Sequence, residues 1–145
     1  MESAAKIPIK GFLETSFVDW PGKICSVIFF SQCNFRCLYC HNAELVLQPD
    51  TIKTIGFDTI MQYLSSQKGW IDGVCVSGGE PTLHPSLPLV LAALKEKGFL
   101  TKLDTNGSNP EVLQSLLSEG LVDYVAMDVK ASLNEKSYCN IIRLL

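Results

Sequence analysis

The sequence predicts an α/β fold built on a parallel sheet. Four strand-like runs lie at 24–30, 72–77, 99–105 ("FLTKLDT") and 121–129 ("LVDYVAMDV"), and the first is nearly continuous in apolar residues with β-branched and aromatic types, as a strand covered on both faces is. Between them lie patterns of helical period about ten or more residues long, which is what right-handed crossovers between parallel strands require. Every polar, chemistry-bearing cluster falls at the carboxyl end of one of these runs or just beyond it.

The elements follow in order. An irregular start rich in turn formers, "LETSFVDWPGK" (13–23), precedes the first strand at 24–30. A loop with Cys33, Cys37 and Cys40 comes next. Phe57, Ile60, Met61 and Leu64 then mark one face of a helix. After the second strand, Leu87, Val90, Leu91 and Leu94 repeat that spacing, with Ser86 placed to cap the helix and Gly98 to end it. The third strand follows at once. Asn109 and Pro110 resemble a cap and a first helical residue, and Leu113, Leu116 and Leu117 supply the apolar stripe before Gly120. The fourth strand completes the pattern.

Of the 145 residues 47 % are hydrophobic and 19 % charged, with net charge −3, which suits a single domain over 1–145. Repeats, low-complexity segments and an internal boundary are absent. The mildly acidic balance, without a Lys or Arg cluster, argues against nucleic acid as a partner. No secretory pattern opens the chain and no apolar run reaches the roughly 18 residues that span a bilayer, so the expectation is a cytoplasmic protein without a membrane partner. Six cysteines in such a compartment read as thiols rather than disulfides. Cys25 and Cys75 sit inside apolar strands, where a thiol behaves as a small hydrophobe. Cys139 receives no role.

Parallel α/β sheets carry ligands at the carboxyl ends of their strands. Here those ends hold the three cysteines, then Gly78-Gly79-Glu80-Pro81, then Asp104-Thr105-Asn106, then Asp128-Val129-Lys130. Each group alone has a plain structural explanation: glycines turn chains, Asn-Gly is a turn pair, and Asp caps helices. Their alignment at one rim favours a joint site. The cysteines leave two metal chemistries open. Zinc could take His41 as a fourth ligand, although three thiols followed by an adjacent His departs from the usual paired layout. An iron–sulfur cubane held by three thiolates leaves one iron for a ligand that is not protein.

The segment "CNFRCLYC" has the spacing C-x3-C-x2-C with Tyr39 before the last cysteine, and in this it resembles the radical S-adenosylmethionine (SAM) superfamily. The resemblance implies a partial (β/α) barrel, a 4Fe-4S cluster on Cys33, Cys37 and Cys40, and SAM on the open iron. It also implies that Tyr39 lies against the adenine. Gly78, Gly79, Glu80 and Pro81 resemble the element whose backbone and Glu contact the methionine amino group, where a carboxylate can pair with an ammonium. Asp104, Thr105 and Asn106 look like the segment lining the SAM pocket. Asp128 and Lys130 match the Asp-x-Lys element of the glycyl-radical enzyme activases, and the resemblance further implies a monovalent cation near Asp104 and Asp128. The stretch "GFLETSFVDWPGKICSVIFFSQCNFRCLYCHN" is similar to these activating proteins, and "VDWPG" leans toward the activators of anaerobic ribonucleoside-triphosphate reductase.

The implied activity is reductive cleavage of SAM, yielding a 5'-deoxyadenosyl radical that takes hydrogen from a glycine of the anaerobic ribonucleotide reductase. Lys130 is expected near the reacting groups, and a flavodoxin- or ferredoxin-like protein would donate the electron. Other readings are a radical SAM oxidoreductase resembling the pyruvate formate-lyase activases or acting on a small molecule, and an inactive iron–sulfur or zinc-binding fragment. Six barrel units need on the order of 190 residues, scaled from an eight-unit barrel. Four are predicted here, so the barrel is expected to be truncated to about four βα units, its last strand an exposed edge. Such an edge predicts weak stability or a homodimer. Trp20 and Phe17 are read as packing or loop anchors, His84 as a solvated loop residue, and His41 as a neighbour of the cluster.

Overall fold

A computed structural model describes residues 7–143. Its sheet has five strands in chain order: β1 (Ile9–Ser16), β2 (Cys25–Phe30), β3 (Gly73–Gly78), β4 (Leu100–Thr105) and β5 (Tyr124–Met127). From β2 to β5 the strands are parallel, as the sequence predicts, while β1 runs antiparallel to β2. The sheet is not closed. The helices are α1 (Ala43–Leu47), α2 (Phe57–Ser66), α3 (Leu87–Glu96), α4 (Pro110–Ser118) and α5 (Glu135–Ile142). Among the described residues no helix is long and apolar enough to cross a membrane.

Period-two alternation splits the strand residues between two cores. Ile28, Phe30, Val74, Val76 and Leu103 face the helices and pack with Ile60, Leu64, Leu91, Leu94 and Leu116. Cys25, Val27 and Cys75 face the other way and meet Trp20, flanked by Phe29 and Leu100. This second face is the lumen of the partial barrel. Pairing aligns Val27, Cys75, Lys102 and Tyr124 in one row across it. Trp20 closes the floor: its ring lies 6.0 Å from that of Tyr124, and a Cβ on Gly73 would fall 2.7 Å from it. Trp20 is thus the packing anchor expected, and Cys25 and Cys75 are fully buried as expected.

Other expectations need correction. The irregular start contains β1, whose run is broken by Lys10, Gly11 and Glu14 and so lacks an apolar signature. Pairing with β2 creates it, across two irregularities in register, and Gly11 leaves room for the Phe29 ring. Helix α1 and the 3-10 turn Pro49–Thr51 were not foreseen, since segments this short carry no periodicity. Ser86 and Asn109 precede their helices but make no side-chain cap; Asn109 instead donates to Thr82 Oγ1 at 3.0 Å. His84 is not simply solvated: its Nε2 lies 2.7 Å from Ser31 O and its ring 5.2 Å from that of Phe30. The segment after β5 is one helix, α5, whose Ile142 O accepts from Arg36 N at 2.6 Å and so ties it to the cysteine loop. β5 is the exposed edge expected, with Tyr124 and Met127 open to solvent.

Asp123 anchors the start of that edge. It accepts from Thr101 N–H at 2.8 Å and from Lys95 Nζ at 2.6 Å, joining β4, β5 and α3. Burial raises its carboxyl, but the bonds from Lys95 and Thr101 prevail and hold it below the usual range. Asp123→Ala should cost about 1–3 kcal/mol in urea unfolding at pH 7, because buried Thr101 loses its acceptor. A depressed carboxyl stabilises fully above its unfolded value near pH 4, and the contribution is lost as pH falls through its folded value. The difference between wild type and variant should therefore narrow as the pH is taken down from neutral into the acid range.

Candidate functional site

The carboxyl ends of β2 to β5 surround a cavity of about 460 Å³, within the range of small-molecule sites. Cys33, Cys37, Tyr39 and Cys40 line it from the loop after β2, Gly78 and Gly79 from β3, Asp104, Thr105 and Asn106 from β4, and Asp128 and Lys130 from beyond β5. Of the candidate cluster and SAM residues read from the sequence, only Glu80 and Pro81 do not line it. Val18, Asp19 and Lys102 do, and sequence reasoning passed over them. A lysine within a buried strand, two positions before Asp104 and therefore on its face, was the available signal.

The glycines bring the cysteine loop to β3. Gly78 has φ +120, and a Cβ there would lie 2.1 Å from Phe30 O. At Gly79 a Cβ would lie 1.7 Å from Gln32 O. No side chain fits either gap. Gly79 N–H and Glu80 N–H instead continue the ladder to Phe30 O and Gln32 O at 3.0 and 2.8 Å. Gln32, just before Cys33, takes a left-handed φ of +63, a conformation uncommon without glycine. Arg36 donates back to Cys33 O at 2.5 Å and Phe35 O at 2.8 Å, which folds the loop on itself.

Glu80 lies beneath the rim, completely buried. Its carboxylate accepts from Thr82 N–H at 3.2 Å, Thr82 Oγ1 at 2.5 Å, Thr105 Oγ1 at 2.7 Å and Asn106 N–H at 2.7 Å. Glu80 thereby ties the ends of β3 and β4 together. Asn106, so placed, donates to Asn34 Oδ1 at 3.0 Å and points its amide at Cys33 Sγ, 3.7 Å away.

Among the described residues, no three His, Cys, Asp or Glu side chains are drawn together closely enough to share one metal ion. Burial pushes the Cys33 and Cys37 thiols up; the Phe35 N–H, 3.3 Å from Cys33 Sγ, and the Lys130 charge near Cys37 work against that.

Two ion pairs complete the wall. Lys130 Nζ bonds Asp128 at 2.7 Å, and its main chain is held by the hydroxyls of Tyr39, which donates to Lys130 O, and Tyr138, which accepts from Lys130 N–H. Burial pulls the Lys130 ammonium down, but Asp128, Cys37 and Tyr39 leave it raised. Lys102, nearly buried, pairs with Asp104, while the Cys75 thiol donates to the other Asp104 oxygen at 3.3 Å. Asp104 and Asp128 are thus each paired with a lysine.

Residues 27–144 match the Radical SAM superfamily. The chain belongs to that superfamily. Radical SAM proteins in general use SAM and an iron–sulfur cluster. A protein of Methanocaldococcus jannaschii with a provisional name as a glycyl-radical enzyme activating enzyme is 40% identical over 86% of this chain and 51% of its own length. The pyruvate formate-lyase-activating enzyme of Staphylococcus aureus is 33% identical over 82% of this chain and 51% of its own. The radical SAM chain described here thus spans about half the length of the curated relatives it matches. Among solved structures, QueE from Escherichia coli aligns with TM-score 0.53 and 20% identity, covering 70% of this chain and 53% of that one. TYW1, solved with a lysine-pyruvate adduct, aligns with TM-score 0.52 and 19% identity, covering 81% and 45%. Both share the fold.

Gly79→Ala should destabilise the chain by on the order of 3 kcal/mol, because one backbone must move away from another. Gly56→Ala, where a Cβ would sit 3.6 Å from Thr59 Oγ1, is the matched control and should stay within about 1 kcal/mol. Equal urea midpoints for the two variants would contradict the close-approach argument.

Proposed function

We propose that this chain carries the SAM-cleaving domain of a glycyl-radical enzyme activase. The observation that supports it best is the sharing of one cavity by Cys33, Cys37 and Cys40 and the three other strand-end segments. Three soft thiols and no fourth cysteine on that wall suit a 4Fe-4S cluster with one iron left for SAM. The N–H groups of Phe35 and Asn106 directed at Cys33 Sγ suit a sulfur that carries negative charge. When bound, cluster and SAM would together supply one-electron cleavage of the sulfonium and a radical able to take hydrogen from a glycine.

The chain's own residues prepare the cavity. Lys130 favours the thiolate of Cys37, and its bond to Asp128 keeps it charged. Tyr39 lines the cavity and, by its bond to Lys130 O, holds the cysteine loop against the end of β5, leaving its ring available to an adenine. Gly78 and Gly79 offer backbone to the methionine end, and Thr105 and Asn106 line the adjoining rim. Trp20, Val27 and Cys75 form a dry floor, which limits water near a reactive intermediate.

The substrate in this reading is a glycine of anaerobic ribonucleoside-triphosphate reductase, to which the "VDWPG" segment points, with a flavodoxin- or ferredoxin-like donor. The likeness to a pyruvate formate-lyase-activating enzyme favours a second reading, in which a formate-lyase-type enzyme receives the radical. The test is anaerobic loading with iron and sulfide, reduction, addition of SAM and quantitation of 5'-deoxyadenosine. Cleavage is expected in wild type and absent in Cys33→Ala, Cys37→Ala and Cys40→Ala. Electron paramagnetic resonance after mixing with either glycyl-radical enzyme then separates the two partners. A loaded cluster with no cleavage would count against SAM chemistry by this chain alone.

A further inference from the structure

We propose that Lys102 is a built-in counter-cation of the SAM cavity, so that ligand binding needs no monovalent metal ion. The inference rests on the SAM reading above and concerns how that site manages its charge.

The residue's position is unusual. Lys102 is 5% exposed on the lumen face, in one row with Val27, Cys75 and Tyr124. Lysine is seldom buried unless paired. Its partner is Asp104, two residues along β4 and on the same face. Cys75 fixes the pair: its thiol donates to Asp104 Oδ2 at 3.3 Å while its sulfur lies 3.6 Å from Lys102 Nζ. The Tyr124 ring centroid, 6.0 Å from Nζ, adds a weak cation–π contact.

An ammonium has three donors, and the two contacts to Asp104 and Cys75 leave one for the cavity that Lys102 lines. That donor can meet the carboxylate of an amino-acid ligand directly. A metal ion bridging Asp104 to such a carboxylate would have to enter beside Lys102, whose ammonium already bonds that acid. Lysines occupy the electrostatic role at both acids. Lys102, the more buried, is the one that ligand charge can depend on.

The test measures SAM affinity of the cluster-loaded protein at equal ionic strength in potassium, sodium or tetramethylammonium chloride. Wild-type Kd should change by less than about twofold across the salts. Lys102→Met should weaken binding about tenfold or more in tetramethylammonium and recover part of it in potassium or sodium, a selectivity that a merely structural role would not produce. A tenfold weakening of wild type without sodium or potassium would overturn the assignment, as would wild-type affinity for Lys102→Met in every salt. The wild-type salt series decides even where that variant fails to fold. An arm independent of SAM uses thermal melting of the cluster-free chain in the same salts. Potassium or sodium should not raise the wild-type Tm above that in tetramethylammonium, and a rise specific to either ion would refute the built-in cation. Failure of SAM to bind in all salts would defeat the proposed function, while the melting arm would still decide the role of Lys102.

Discussion

Glu80 is buried without any lysine, arginine or histidine bonded to it among the described residues, and its charge is tolerated because Thr82, Thr105 and Asn106 direct four donors at it. An ionised carboxylate removed from water without such bonds would cost several kcal/mol or more. The arrangement therefore exists only when the end of β3, the turn after it and the end of β4 are all in place. Those are the segments that line the cavity. Asn106, held by its backbone to Glu80, can then send its side chain to Asn34 and Cys33, so one hidden carboxylate orders both rims of the site.

The cysteine loop is seated by a different constraint, the meeting of two backbones. Because neither Gly78 nor Gly79 carries a Cβ, the ladder between β2 and β3 runs on past the strands as far as Gln32. Cys33 therefore begins its loop from a fixed point. His84 secures the same place from the side through Ser31 O, and the end of α5 secures the far side through Arg36 N–H. A loop pinned at three places can present thiols to a cofactor without first paying for its own ordering.

The lumen is more polar toward its mouth, and its charges come in pairs. Lys102 with Asp104, and Asp128 with Lys130, each lie two residues apart on their segment, so each acid is balanced locally. The floor beneath them is apolar and closed by Trp20. Low dielectric below and paired charges above make the cavity sensitive to any ligand that brings charge of its own.

Much was legible in the sequence because it depends on local period. The runs that became β2 to β5, the stripes of α2, α3 and α4, and the polar residues that end each strand can all be read from neighbours within about one helical turn or a few strand positions. The spacing of Cys33, Cys37 and Cys40 is likewise a local fact. The sequence by itself thus determined the fold class and which strand-end segments meet at the cavity. Tertiary structure alone decided what depends on residues far apart in the chain. β1 exists because β2 offers it a partner, Glu80 turns inward because Thr105 and Asn106 reach it from β4, and Lys102 enters the cavity because Cys75 and Tyr124 flank it in register. Strand periodicity states which residues share a face; which face becomes the lumen is set only when the sheet curves and packs its helices on the other side.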